Sequence, residues 1–164
     1  NAGVAPTGKA ERQWPDAWNE TVELNLNAAF HCCLLARSRM RRDGRHGRII
    51  NVSSIFGHLG SSMFRLSAYA ASKGGIENLT RQLAVEWAAE GITVNAIAPA
   101  WFPSEMTAGS IEKPGVVDRM GAGCPLGRMG KTFELRTACL FLAAPASSYV
   151  TGAIVPVDGG YSAW

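Results

Sequence analysis

The sequence predicts an α/β domain built on a parallel sheet. Short β-branched runs alternate with long amphipathic stretches in the order helix, strand, helix, strand, helix, strand. In the long stretches apolar residues recur at three- and four-residue steps, the period of a helix with one buried face. Apolar residues make up 47% of the 164, and the 18 Gly and 8 Pro are spread along the chain, which excludes a disordered or low-complexity chain. One domain is expected over residues 1–164.

Residues 4–15 carry Pro6, Gly8 and Pro15 and read as loop. The spacing of Trp18, Val22, Leu26, Ala29, Cys33 and Ala36 predicts a helix over 16–42, stopped by Gly44 and Gly47. Residues 48–53 form a β-branched run ending in hydroxyls, a strand. A Gly/Ser-rich loop follows over 54–66. A second helix is expected over 67–89, with Ala70, Ile76, Leu79, Leu83 and Trp87 inward and Gly91 as its stop. Residues 92–98 make a second strand, ended by Pro99. The stretch 100–131 is rich in Pro, Gly and Met and only partly periodic, and a loop of that length is commonly a lid. A third helix over 133–143 and a strand over 153–157 complete the reading. Three strands make a narrow sheet, whose edge at the first strand would lie open.

Lys and Arg total 16 against 13 Asp and Glu, a net charge of +3. That excess does not suggest a nucleic-acid or membrane partner. The one dense basic stretch, Arg37 to Arg48, is broken by Asp43, Gly44 and Gly47 and reads as a solvated helix end. No apolar run approaches the roughly 20 residues that span a bilayer. Cys32, Cys33, Cys124 and Cys139 form neither a zinc pattern nor a disulfide framework, so a reduced, cytoplasmic protein with buried thiols is expected.

Tyr69 and Lys73 stand four residues apart and share a helix face. A nearby ammonium and the start of a helix both favour a phenolate and would bring the tyrosine toward acid–base work near neutral pH. The same spacing also suits a surface lysine beside a half-buried tyrosine. Ser53 and Ser54 end a predicted strand, where ligands of open α/β sheets bind and a hydroxyl can serve a developing oxyanion. They also suit a turn bonded to its own backbone. Asn51 and Asn95 lie on strands, where such a side chain pins neighbouring loops. Asn25 and Asn27 lie inside a helix that asparagine does not favour.

Taken in order, these segments resemble the short-chain dehydrogenase/reductase family over nearly the whole chain. The resemblance rests on Asn1-Ala2-Gly3, on Asn25 in Leu24-Asn25-Leu26, and on Ile50-Asn51-Val52-Ser53-Ser54. Tyr69-Ala70-Ala71-Ser72-Lys73 and Val94-Asn95-Ala96-Ile97-Ala98-Pro99 carry it further. Pro125-Leu126-Gly127-Arg128-Met129-Gly130, Thr151-Gly152 and Val157-Asp158-Gly159-Gly160 match the family's C-terminal third. The resemblance implies a partial Rossmann-like, doubly wound sheet, the last three strands of seven. It implies an NAD(P)-dependent oxidoreductase interconverting a secondary alcohol and a ketone, with a small-molecule substrate and a homo-oligomeric state, dimer or tetramer.

The family's roles, carried over, give Tyr69 the proton transfer to or from the substrate oxygen. Lys73 lowers the tyrosine pKa and holds the nicotinamide ribose, Ser54 polarises the carbonyl, and Asn25 holds a water in a proton relay to Lys73. Asn1, Ala2 and Gly3 would line the adenosine–ribose side of NAD or NADP. Pro99, Phe102 and Ser104 would face its nicotinamide end, and residues 100–120 would form the substrate lid.

The Gly-rich pyrophosphate fingerprint is absent from these residues, so a partial chain is expected, short by about 90 residues at about 30 per β-to-β crossover. The step from Ser54 to Tyr69 is longer than the family's common spacing, which keeps Ser53 as a fallback. Ala100 replaces a usual Gly and would strain any left-handed backbone there. Ser104 stands where a Thr is common. Trp101, Phe102, Met106, Met120 and Met129, with Phe56, Leu59 and Met63, form either an apolar substrate wall or simple packing of the lid, and His58 is either a substrate contact or structural. The alternative function is a non-catalytic paralogue that associates through its long helices.

Overall fold

β1 (Gly47–Val52) alternates buried and half-buried positions, whereas β2 (Ile92–Pro99) is buried from Ile92 through Ala98. That contrast marks β2 as the central strand, since only a strand covered on both faces tolerates an unbroken apolar run. A computed structural model describes residues 3–43 and 46–163. In it β1, β2 and β3 (Ile154–Val157) form one parallel sheet in the order β1-β2-β3. Gly47 faces Ile92 and Val52 faces Ile97, so β1 and β2 end at the same level, and Pro99 faces Val157. Among the described residues β1 is an edge strand, as the sequence predicts.

The helices are α1 (Asp16–Val22), α2 (Ala28–Arg42), α3 (Ser67–Trp87), α4 (Glu105–Ile111), α5 (Val116–Ala122) and α6 (Glu134–Ala143); α2, α3 and α6 pack on the sheet, α1 packs on α3, and α4 on α5. The helix expected over 16–42 is interrupted. A π-helical turn over Glu23–Asn27 separates α1 from α2 and contains Asn25, whose side-chain amide bonds outside the helix (below). The last turn of the expected second helix tightens to a 3-10 turn over Ala88–Glu90 and ends at Gly91, with φ of 72°. The stretch 100–131 is not a plain loop, for it contains α4 and α5. The expected 3.6-residue pattern is short there, because each helix has only seven residues. Asn1, Ala2 and the helix stop at Gly44 lie outside the described residues. Gly47 opens β1 rather than closing the helix.

Cys33, Ile49, Leu83, Ala84, Trp87, Ile92 and Val94 form one core cluster between α2, α3 and the sheet. Asn51 ties both helices to β1: its Nδ2 donates to Thr80 Oγ1 at 2.9 Å, and its Oδ1 accepts from Cys33 Sγ at 3.4 Å. Asn95 pins a loop, donating to Val150 O and accepting from Ala153 N. A second cluster lies beyond the C-terminal ends of the strands, where Trp101, Met120 and Cys124 pack on Ile55 and Phe56. The thiols are not all buried. Cys33 and Cys124 are, while Cys32 faces solvent. No helix among the described residues is long and apolar enough to cross a membrane.

Candidate active site

The site grows from the C-terminal end of β1. Ser53 N still donates to Ile97 O at 2.8 Å, which keeps the chain on the line of the sheet for one more residue. Ser54 then turns out, extended at φ −165° and ψ 159°, and caps a 3-10 turn over Ile55–Gly57 with its Oγ accepting from Phe56 N. Ser53 turns inward, its Oγ 3.1 Å from Glu77 Oε1 and 3.2 Å from Lys73 O. Ser53 is spent on α3, whereas Ser54 is the serine whose side chain hydrogen-bonds Tyr69.

α3 starts without a cap from Leu66, its own N-cap residue. Gln13, 3% exposed, supplies one from a distance, with Oε1 accepting from Ala68 N at 3.0 Å and Nε2 donating to Gly8 O at 2.8 Å. This fixes the first turn, which carries Tyr69. One turn later Lys73, 7% exposed, points its ammonium at the end of β1. Its Nζ donates to Val52 O at 2.8 Å and lies 5.6 Å from the centroid of the Tyr69 ring.

Burial sets both titrations. It pushes the Tyr69 phenol above its ordinary value, and the hydrogen bond with Ser54 opposes that only in part. The lowering expected from the lysine and the helix start is not what this environment gives, because desolvation of the phenolate outweighs them. Burial also lowers Lys73 from 10.5 to about 8.

Asn25, 3% exposed, does not touch Lys73 among the described hydrogen bonds. Its Oδ1 accepts from Val4 N at 2.9 Å, and its Nδ2 reaches Val4 O at 2.9 Å and Ser72 Oγ at 3.1 Å. Ser72 Oγ in turn donates to Tyr69 O. Asn25 therefore clamps the N-terminal segment onto the helix of Tyr69 and Lys73. Gly3 sits against it closely enough that a Cβ would lie 3.2 Å from Asn25 Oδ1.

The remaining candidates stand at the ends of β2 and β3. Pro99 closes β2. Ala100 N donates to Val157 O, and no non-glycine residue among those described has a positive φ, so Ala100 carries no left-handed strain. Ser104 caps α4 in a reciprocal pair with Thr107, which occupies its hydroxyl locally. Phe102 packs on Gly130 and, with Trp101, lines a cavity of about 120 Å³ that also meets Arg128, Glu134 and Asp158. A larger cavity of about 450 Å³ opens beside the first turn of α3, lined by Lys9, Phe56, Ser61, Arg65 and Ala70. Most of the apolar lid residues serve packing: Trp101 and Met120 are core, with Leu59, Met63 and Met129 against them, while Met106 is exposed. His58 Nδ1 lies 2.8 Å from Glu77 Oε1.

Gln13, Ser72 and Glu77 escaped the sequence reading. Residues 69, 73 and 77 form an unbroken i, i+4 stripe, which was the available signal for Glu77. Gln13 left none, because the bond by which it caps α3 spans 55 residues.

A parallel sheet with these side chains gathered at its C-terminal end defines a Rossmann-type α/β domain. Residues 1–162 match the family described as Enoyl-(Acyl carrier protein) reductase, and the chain belongs to the short-chain dehydrogenase/reductase family. It is 39% identical to galactitol 2-dehydrogenase (L-tagatose-forming) of Cereibacter sphaeroides, over 100% of this chain and 64% of that protein. It is 41% identical to cis-4-hydroxycyclohexanecarboxylate dehydrogenase of Sinomonas cyclohexanicum, over 99% of this chain and 64% of that protein. A crystal structure of gluconate 5-dehydrogenase from Burkholderia cenocepacia in complex with NADP and tartrate superposes with a TM-score of 0.94 at 32% identity, covering 100% of this chain and 63% of that one. The chain thus spans just under two thirds of the length of these relatives.

Proposed function

We propose that the protein to which this chain belongs is an NAD(P)-dependent oxidoreductase that interconverts a secondary alcohol and a ketone, with Tyr69 as the acid–base group. The observation that carries this reading is the convergence of Ser54, Tyr69 and Lys73 at the end of β1. A phenol whose pKa is raised stays protonated and can give its proton to a carbonyl oxygen as negative charge develops there. Ser54 donates to the same oxygen, and Lys73 steadies the phenolate that the transfer leaves.

The residues fit the nicotinamide half of the cofactor. Lys73 spends one of its three ammonium hydrogens on Val52 O, which leaves donors for ribose hydroxyls. Pro99, Phe102 and Ser104 would flank the nicotinamide end, and Gly3 the adenosine–ribose side. The bound nicotinamide supplies or accepts the hydride. Structural neighbours that carry NADP support NAD or NADP as the cofactor. Polyol and hydroxy-acid relatives support a small hydroxylated substrate. Residues 100–120 would form the lid over that substrate.

The test is a coupled screen of the full-length protein with galactitol, gluconate and cis-4-hydroxycyclohexanecarboxylate, each with NAD⁺ and NADP⁺, reading reduced nicotinamide. Turnover of at least one pair is expected, and none across a panel widened to other secondary alcohols would count against the reading. A second reading, association through the long helices, is favoured by the exposed Phe30, Leu34 and Leu35 of α2 and Val85 of α3. It is compatible with a homo-oligomeric enzyme and stands alone only if turnover is absent.

A further inference from the structure

Glu77 is 3% exposed and lies one helical turn beyond Lys73. A carboxylate so placed is costly unless its oxygens are bonded, and here the bonds are specific. Oε1 accepts from Ser53 Oγ at 3.1 Å, and His58 Nδ1 lies 2.8 Å from the same oxygen. Arg81 Nη2 approaches Oε2 at 3.5 Å from the solvent side. Ser53 immediately precedes Ser54, and His58 closes the 3-10 turn that Ser54 opens, its N donating to Ile55 O. One carboxylate oxygen thus holds both ends of the turn that carries Ser54.

The fit leaves no slack. A Cβ on Gly57 would lie 2.6 Å from Glu77 Oε1 and 2.7 Å from Ser53 Oγ, and one on Gly74 would lie 3.1 Å from Gly57 O. Glycine at 57 is what lets the turn close down on the carboxylate.

We propose that Glu77 is a positioning residue: by gripping Ser53 and His58 it fixes the Ser54 hydroxyl at the oxygen that Tyr69 protonates. This rests on the oxidoreductase reading above. A hydroxyl released by even an ångström loses much of its effect on a transition state, so the consequence falls on kcat. The nicotinamide KM is expected to hold, since Tyr69 and Lys73 themselves are unchanged.

The experiment is a double-mutant cycle in the full-length enzyme, with the substrate and nicotinamide pair that the screen identifies. Glu77→Leu is expected to lower kcat by about 10- to 100-fold with the nicotinamide KM unchanged. In a Ser54→Ala background the same change is expected to cost no more than about two-fold, because there is no hydroxyl left to misplace. Glu77→Gln, which keeps an acceptor for Ser53 and His58, is expected to restore most of the turnover. If Glu77→Leu does not fold, Gly57→Ala in the same cycle decides the matter, since its methyl group displaces the same contacts. An undiminished loss in the Ser54→Ala background, or full turnover in Glu77→Leu, would overturn the proposal. Tyr69→Phe, run alongside, separates the two claims. If it is silent while Glu77→Leu is fully active, this inference alone falls; if it turns over like the parent, the functional reading falls and takes this one with it.

Discussion

Lys73→Met offers a measurement in which stability and activity move in opposite directions. Lys73 is 7% exposed, and burial lowers its pKa from 10.5 to about 8. Below pH 8 both the folded and the unfolded chain hold the proton, and the folded one bears the whole cost of a desolvated ammonium. Between pH 8 and 10.5 the folded chain has released that proton and the unfolded chain has not. The unfolded state then binds more protons, so stability climbs with pH across this window and levels off above it. The gap corresponds to about 3 kcal/mol. Methionine cannot titrate. The difference in unfolding free energy between parent and Lys73→Met, from urea titrations without cofactor, is therefore expected to move in the parent's favour by about 3 kcal/mol from pH 7.5 to 10.5. Tyr69, which burial pushes above its ordinary value, and the raised thiols of Cys33 and Cys124 are common to both proteins and cancel in the difference. Turnover of Lys73→Met is expected to fall by about 100-fold or more. A difference flat to within about 0.5 kcal/mol across the window would refute the claim that Lys73 is a desolvated ammonium.

Two further substitutions separate roles that the sequence leaves merged. Ser54→Ala is expected to lower kcat by roughly 100- to 1,000-fold, as loss of a donor to a developing oxyanion does, while Ser53→Ala costs no more than about ten-fold through the turn alone; equal losses in a steady-state assay would contradict this division. Asn25→Leu strips bonds from Val4 N, Val4 O and Ser72 Oγ in a buried site, and is expected to cost about 2 kcal/mol in denaturant unfolding, with a loss under about 0.5 kcal/mol counting against the clamp.

The order of elements was legible because their periods are clean. Residues 92–98 read as an apolar β-branched run and form the central strand. The two long helices show their faces in Cys33, Ile76, Leu83 and Trp87. What the sequence concealed depends on bonds between distant residues. The π-helical turn at Glu23–Asn27 holds Asn25, whose side-chain amide serves Val4 and Ser72 across the fold. α4 and α5 are too short to display a period. The direction of the tyrosine shift could not be read from the i, i+4 spacing, because the deciding quantity is burial and not the neighbouring charge. Gln13, which caps α3 from another segment, has no signature in sequence at all. The candidate residues themselves were legible through the family's motifs. The partners that set Ser53 apart from Ser54 were not.

The central claim is that Tyr69 moves the proton while a nicotinamide moves the hydride. Its most direct test is Tyr69→Phe in the full-length protein, with turnover and nicotinamide binding measured on the same preparation. The account expects turnover to fall by roughly 100- to 10,000-fold with cofactor affinity and thermal unfolding close to those of the parent, since only the hydroxyl is removed. Turnover within about two-fold of the parent would contradict it.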